Sequence, residues 1–120
     1  MVAATEDRTA TASSGAAAAR AFAAEGAKLV IGARRESLLD DLARAIADAG
    51  GQALAVAGDV RDEAYADALV DAALGRFGRL DGAFNNAGTV GEMGPLADMS
   101  TENWRAVIDT NLSSAFYAAR

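Results

Sequence analysis

Five small groups of residues have types and spacings that could do chemistry. Asn85-Asn86-Ala87-Gly88 follows a short, partly apolar run at 80–84. That is how a parallel strand ends when its carboxyl edge must stay open, and ligands of open α/β sheets bind just outside such ends. An asparagine amide both donates and accepts, so the pair can tie neighbouring strand ends and leave room for a ligand; an ordinary asparagine-rich turn would read the same. Ser13-Ser14-Gly15 heads a helical pattern. Backbone amides at a helix start attract a phosphate, and glycine lets it approach closely; a plain serine cap needs no phosphate. Arg34-Arg35 follows an apolar strand at 28–32. In a dinucleotide fold an acid at this place bonds the ribose hydroxyls, whereas arginine accommodates a 2′-phosphate; the alternative is solvated loop charge. Asp59-Val60 ends another apolar segment. Its carboxylate could accept from an adenine amino group while the valine packs on the ring, or it is a turn aspartate capping the next helix. Asn111 falls in the apolar stripe of the last helix, where an unpartnered amide costs about 1–3 kcal/mol. It has a specific partner, holds a water or ligand at the sheet edge, or is a satisfied core asparagine.

The elements that must position these groups alternate. A helix begins at Ser13/Ser14, runs through Arg20, Phe22 and Glu25 and ends at Gly26. Residues 28–32 form a short buried strand. Residues 36–49 carry Leu38, Leu39, Leu42 and Ile46 on one face, an amphipathic helix stopped by Gly50-Gly51. A strand at 53–57 and a helix at 62–77 follow, the latter with Tyr65, Leu69, Ala73 and Phe77 at four-residue spacing. A third strand at 80–84 leads through a loop at 91–95 to a helix capped by Ser100, with Trp104, Val107, Ile108, Leu112, Ala115 and Phe116 as its inner face. This alternation predicts a parallel sheet with helices on both faces and right-handed crossovers. Residues 1–12 fit it poorly: Glu6-Asp7-Arg8 puts three charges where a central strand should be apolar. They read as an edge strand, a frayed tail or a degraded first strand within one partial domain over 1–120.

Composition narrows the function classes. The chain has 120 residues, 52% of them hydrophobic, enough for one packed core. No apolar run approaches the ~20 residues of a membrane span, and no secretory signal is visible. Cysteine and histidine are absent, which excludes thiolate chemistry and removes the commonest metal ligand and general base; no metal site is expected. A net charge of −6 with no basic cluster beyond Arg34-Arg35 argues against nucleic acid as partner. A cytoplasmic location is the default expectation.

In order and spacing these motifs resemble the amino-terminal half of the short-chain dehydrogenase/reductase family, over about 11–120. The likeness rests on Ala21-Phe22-Ala23-Ala24-Glu25-Gly26-Ala27, Gly32-Ala33-Arg34-Arg35-Glu36, Gly58-Asp59-Val60, Asn85-Asn86-Ala87-Gly88, and Trp104 through Asn111-Leu112. It implies an α/β Rossmann-like, three-layer, doubly wound parallel sheet, incomplete here. It also implies an NAD or NADP cofactor and hydride transfer between a carbonyl and an alcohol. Ser14 and Gly15 would lie at the phosphates. Arg34 and Arg35 favour NADP over NAD, with Arg34 facing the 2′-phosphate. Asp59 and Val60 would sit at the adenine, Asn85 to Gly88 would line the cofactor, and Asn111 would match the family's catalytic asparagine, which holds a water in the proton relay.

Two departures stand out. The family's T-G-x-x-x-G-x-G loop is replaced by Thr11-Ala12-Ser13-Ser14-Gly15-Ala16, so cofactor binding is expected to be weak. The family's catalytic serine and Y-x-x-x-K motif have no counterpart; Tyr117 is followed by Ala118-Ala119-Arg120, and Lys28 is the only lysine. The expectation is a truncated chain, inactive alone. The alternatives are a non-catalytic nucleotide-binding remnant and a structural, homo-oligomerising fragment.

Overall fold

The computed structural model describes residues 2–4 and 14–120. Strand β1 (Val2–Ala4) precedes helix α1 (Ser14–Ala24), strand β2 (Lys28–Ala33) and helix α2 (Glu36–Asp48). Strand β3 (Gln52–Ala57), helix α3 (Glu63–Phe77) and strand β4 (Ala83–Asn85) follow. The last stretch is α4 (Thr101–Ile108), a π-helical turn (Asp109–Ser113) and α5 (Ser114–Ala119). The sheet order is β3-β2-β1-β4, and every pairing is parallel.

β2 reads as a continuous apolar run because both its faces are covered. Leu29 and Ile31 turn to one side and pack with Ala16 and Ala19 of α1 and Leu39, Leu42 and Ile46 of α2. Val30 turns to the other and packs with Tyr65, Leu69 and Ala73 of α3. Phe84 of β4 meets Phe22 of α1 edge to face, ring centroids 5.9 Å apart, while α5 covers β4 and α3 from the opposite face. Three layers result, as the alternating pattern predicted. The helices also start and stop where their signals stand: Asp62 accepts from the Ala64 amide at the head of α3, Ser100 accepts from the Asn103 amide at the head of α4, and Gly78 closes α3 at φ 77°.

Three expectations need correction. The first strand is not an edge: Val2 pairs with both Val30 and Ala83, so β1 is central. β1 is described over the apolar tripeptide Val2–Ala4; residues 5–13, with the charged run and the first half of the replaced glycine loop, lie outside the described residues. The strand expected at 80–84 begins at Ala83 and extends to Asn85. The last helix is not one regular helix. The π turn adds a residue to the cycle and rotates the face from there on, so Leu112 and Phe116, expected inside, are 63% and 61% exposed. Trp104, ahead of the turn, was also expected inside and is 62% exposed. Thr110 and Ser114 are buried instead, and the Ser114 hydroxyl donates to the Thr110 carbonyl at 2.5 Å.

Candidate functional site

The chain runs from β1 out to β2 and β3 on one side, then returns to place β4 on the other. The carboxyl ends of β1 and β4 therefore flank a switch point, the place where open α/β sheets leave a crevice for a ligand. Four of the five sequence groups meet along this edge of the sheet.

At the crevice, Asn85 pairs with Ala4 as the last residue of β4, and the chain leaves the sheet through Asn86 to Gly88. The Ser14 hydroxyl, at the first turn of α1, donates to Asn86 Oδ1 at 3.1 Å. Gly15 behind it is buried. This bond joins the head of α1 to the end of β4. The tie expected of the asparagine pair was between neighbouring strand ends; Asn86 instead accepts from a helix start.

Asn111 is not buried in an apolar stripe. It sits in the π turn, exposed, and both ends of its amide are used: Oδ1 accepts from the Thr89 amide at 2.7 Å and Nδ2 donates to the Thr89 carbonyl at 2.8 Å. Asn103, eight residues earlier, accepts from the Glu92 amide at 2.8 Å. The two asparagines clamp the loop after β4 onto the last helices. Gly91 makes the close approach possible: it has φ 68°, and a Cβ there would fall 2.5 Å from Asn103 Oδ1. Sequence reading found Asn111 but missed Asn103. The signal was their eight-residue separation, about two helical turns.

Farther along the edge, Arg34 and Arg35 leave β2 exposed, with Arg35 at the head of α2. Asp59 follows β3. It does not cap α3, a role Asp62 fills. The Arg61 amide donates to Asp59 Oδ1 at 3.0 Å, Arg61 Nε lies 3.0 Å from both carboxylate oxygens, and an Arg61 terminal nitrogen reaches Oδ2 at 2.5 Å. The Arg61 side chain holds the Asp59 carboxyl below the usual carboxylate range, against partial burial, and the charge of Arg34 adds to the effect. Val60 packs partly buried against the Tyr65 cluster.

Tyr65 supports these two loops from beneath. Its hydroxyl donates to the Val56 carbonyl at 2.5 Å. A Cβ on Gly32 would fall 2.6 Å from that hydroxyl, and one on Gly58 would fall 2.3 Å from the ring. Two glycines at the ends of β2 and β3 thus make room for one tyrosine. Burial pushes the phenol up to about 12 from its ordinary 10, with a backbone contact at Ala33 opposing it.

A cavity of about 70 Å³ opens between α3, α5 and β4, with Tyr65, Leu69, Asn85 and Asn111 in its wall. Cofactor pockets run to about 300–1,000 Å³, so this cavity is too small for a dinucleotide. Among the described residues no cluster of three or more acidic, histidine or cysteine side chains could hold a metal ion, and no helix is long and apolar enough to cross a membrane.

A doubly wound parallel sheet with its polar side chains gathered at the carboxyl ends around the switch point is a Rossmann-type α/β domain. Residues 9–120 match the family model described as enoyl-(acyl carrier protein) reductase. The chain is 46% identical over 99 residues to the cis-4-hydroxycyclohexanecarboxylate dehydrogenase of Sinomonas cyclohexanicum, covering 82% of this chain and 39% of that protein. The 3-ketoacyl-ACP reductase structure from Sinorhizobium meliloti superimposes with a TM-score of 0.88 at 32% identity, covering 98% of this chain and 44% of that one. A metagenomic short-chain oxidoreductase in complex with NADP gives 0.85 at 33% identity, covering 98% and 51%. The chain belongs to the short-chain dehydrogenase/reductase family of oxidoreductases. It spans about two-fifths of the length of the curated relatives it matches.

Proposed function

We propose that these residues form the dinucleotide-binding side of an NADP-dependent oxidoreductase that moves a hydride between a carbonyl and an alcohol. The observation that carries this reading is the Ser14–Asn86 bond across the switch-point crevice, with Arg34 and Asp59 at the ends of the adjoining strands. The relative solved with NADP supports the choice of cofactor class. When bound, the nicotinamide would supply or accept the hydride. Ser14 and Gly15 would lie at the phosphates, Arg34 and Arg35 at a 2′-phosphate, Asp59 and Val60 at the adenine. Asn85, Asn86, Ala87 and Gly88 would line the nicotinamide half. Asn111, whose side-chain amide is tied to Thr89, would hold a relay water.

Proton transfer in this family also uses a serine and a tyrosine with a lysine four residues on. The only lysine in these 120 residues, Lys28, opens β2. With the glycine loop replaced at 11–16, these 120 residues are expected to bind NADPH weakly, and without that tyrosine and lysine not to turn over. Fluorescence titration tests this. NADPH should bind more tightly than NADH, and Arg34→Ala should remove the difference. Absence of NADPH binding at millimolar ligand, or equal affinity for the two cofactors, overturns the cofactor assignment. Turnover by the purified chain, abolished in Asn111→Ala, overturns the expected inactivity.

A second reading, a homo-oligomer, draws on the exposed Trp104, Leu112 and Phe116, since apolar patches of this kind drive association. Light scattering at high concentration decides it; a clean monomer counts against it. A cytoplasmic setting completes the proposal.

A further inference from the structure

Arg61 belongs to none of the sequence groups, yet it makes every hydrogen bond described above to the Asp59 carboxylate. The turn after β3 forces the two together: the Asp62 amide donates to the Asp59 carbonyl at 3.0 Å, and the Arg61 amide donates to Asp59 Oδ1 at 3.0 Å. Nε and the terminal nitrogen then fork onto the carboxylate edge. A guanidinium fork fixes a carboxylate's plane as a single charge contact does not. The Asp59 side chain remains 31% exposed, so it can still accept from a ligand.

We propose that Arg61 is a specificity-determining residue for the base of the dinucleotide. It locks Asp59 in one orientation, as an acceptor only, so that the site takes a 6-aminopurine and turns away a 6-oxopurine. This rests on the reading of Asp59 as the adenine contact. A 6-amino group presents N–H donors to the carboxylate. A 6-oxo group presents a lone pair, and meets a fixed anion with repulsion. A carboxylate free to rotate could instead reach the N1–H of the 6-oxopurine. The Arg61 fork prevents that rotation. Leaving a fixed acceptor facing an acceptor is the kind of mismatch by which sites reject near-isosteres.

The test compares NADPH with its hypoxanthine analogue by fluorescence titration of the 120-residue chain. The wild-type chain should favour NADPH by about tenfold or more. Arg61→Ala should cut that preference to about threefold or less by tightening the analogue relative to NADPH, and Arg61→Lys should fall between, since it keeps the charge and loses the fork. Equal loss for both nucleotides, with the ratio kept, overturns the inference while leaving the cofactor reading intact. Failure of the wild-type chain to bind either nucleotide overturns both. A measurement without nucleotide is independent: the Asp59 carboxyl carbon, titrated by NMR, should move up to the ordinary carboxylate range in Arg61→Ala. An unchanged titration overturns the locking role even if the affinities shift.

Discussion

Gly58→Ala should destabilise the domain far more than a surface glycine substitution would, because of one side chain. The added Cβ would fall 2.3 Å from Tyr65 Cδ2, 2.4 Å from Cε2 and 2.8 Å from Cγ. The ring is rigid and only 7% exposed. It cannot retreat along its axis, because its hydroxyl is bonded to the Val56 carbonyl and already occupies the space a Gly32 side chain would need. Overpacking of this kind costs about 1–3 kcal/mol. Displacing the tyrosine also loses its hydrogen bond, about 0.5–1.5 kcal/mol. The expected cost is about 2–4 kcal/mol, a large share of the ~5–15 kcal/mol of a typical domain. Backbone strain contributes nothing, since Gly58 is not among the glycines with positive φ. Urea denaturation followed by circular dichroism at 222 nm reads the loss. The mechanism is isolated by repeating Gly58→Ala in a Tyr65→Ala background, where it should cost within about 0.5 kcal/mol of zero. An equal cost in both backgrounds would refute the steric argument.

Three further outcomes are expected. The Tyr65 phenol is raised in the folded chain from its ordinary 10 to about 12. Its contribution is therefore complete below pH 10 and lost as pH rises through 12, about 3 kcal/mol in all. Urea melts at pH 9 and pH 12 should show that loss in the wild-type chain and a smaller one in Tyr65→Phe. Asn111→Ala removes both bonds to Thr89. Water can replace them at this exposed site, so stability should fall by only about 0.5–1.5 kcal/mol, while amide exchange at Thr89 accelerates; an unchanged Thr89 rate would contradict the clamp. Asp62→Ala should cost about 1 kcal/mol through loss of the α3 cap, and Asp62→Asn should recover most of it in the same melts.

Elements whose period matches their surroundings were legible. β2 was readable because both its faces are buried and its run is unbroken, and α2 because Leu39, Leu42 and Ile46 return every turn. The last helix was misread beyond Ile108 because a π turn changes the period without leaving a mark in composition. Asn111 drew notice as a polar residue in an apolar stripe; the stripe was wrong, but the residue does have a specific partner. Asp59 and Val60 were found at the correct strand end, while Arg61 was overlooked because a charged residue in a turn looks like solvated charge. Tyr65 was read as one more apolar contact of α3. Its dependence on Gly32 and Gly58 joins positions 33 and 7 residues away, and only the folded sheet brings them together.

The central strand has a mechanical consequence. β1 pairs with β2 on one side and with β4 on the other, so it is the seam between two halves of the sheet. On one side lies a wing of β2 and β3 with the α2 core; on the other, β4 with the clamped loop and the last helices. The Ser14–Asn86 bond spans the seam at one end, so a ligand gripping both sides of the crevice would act as a rivet, holding the wings in register without touching either core.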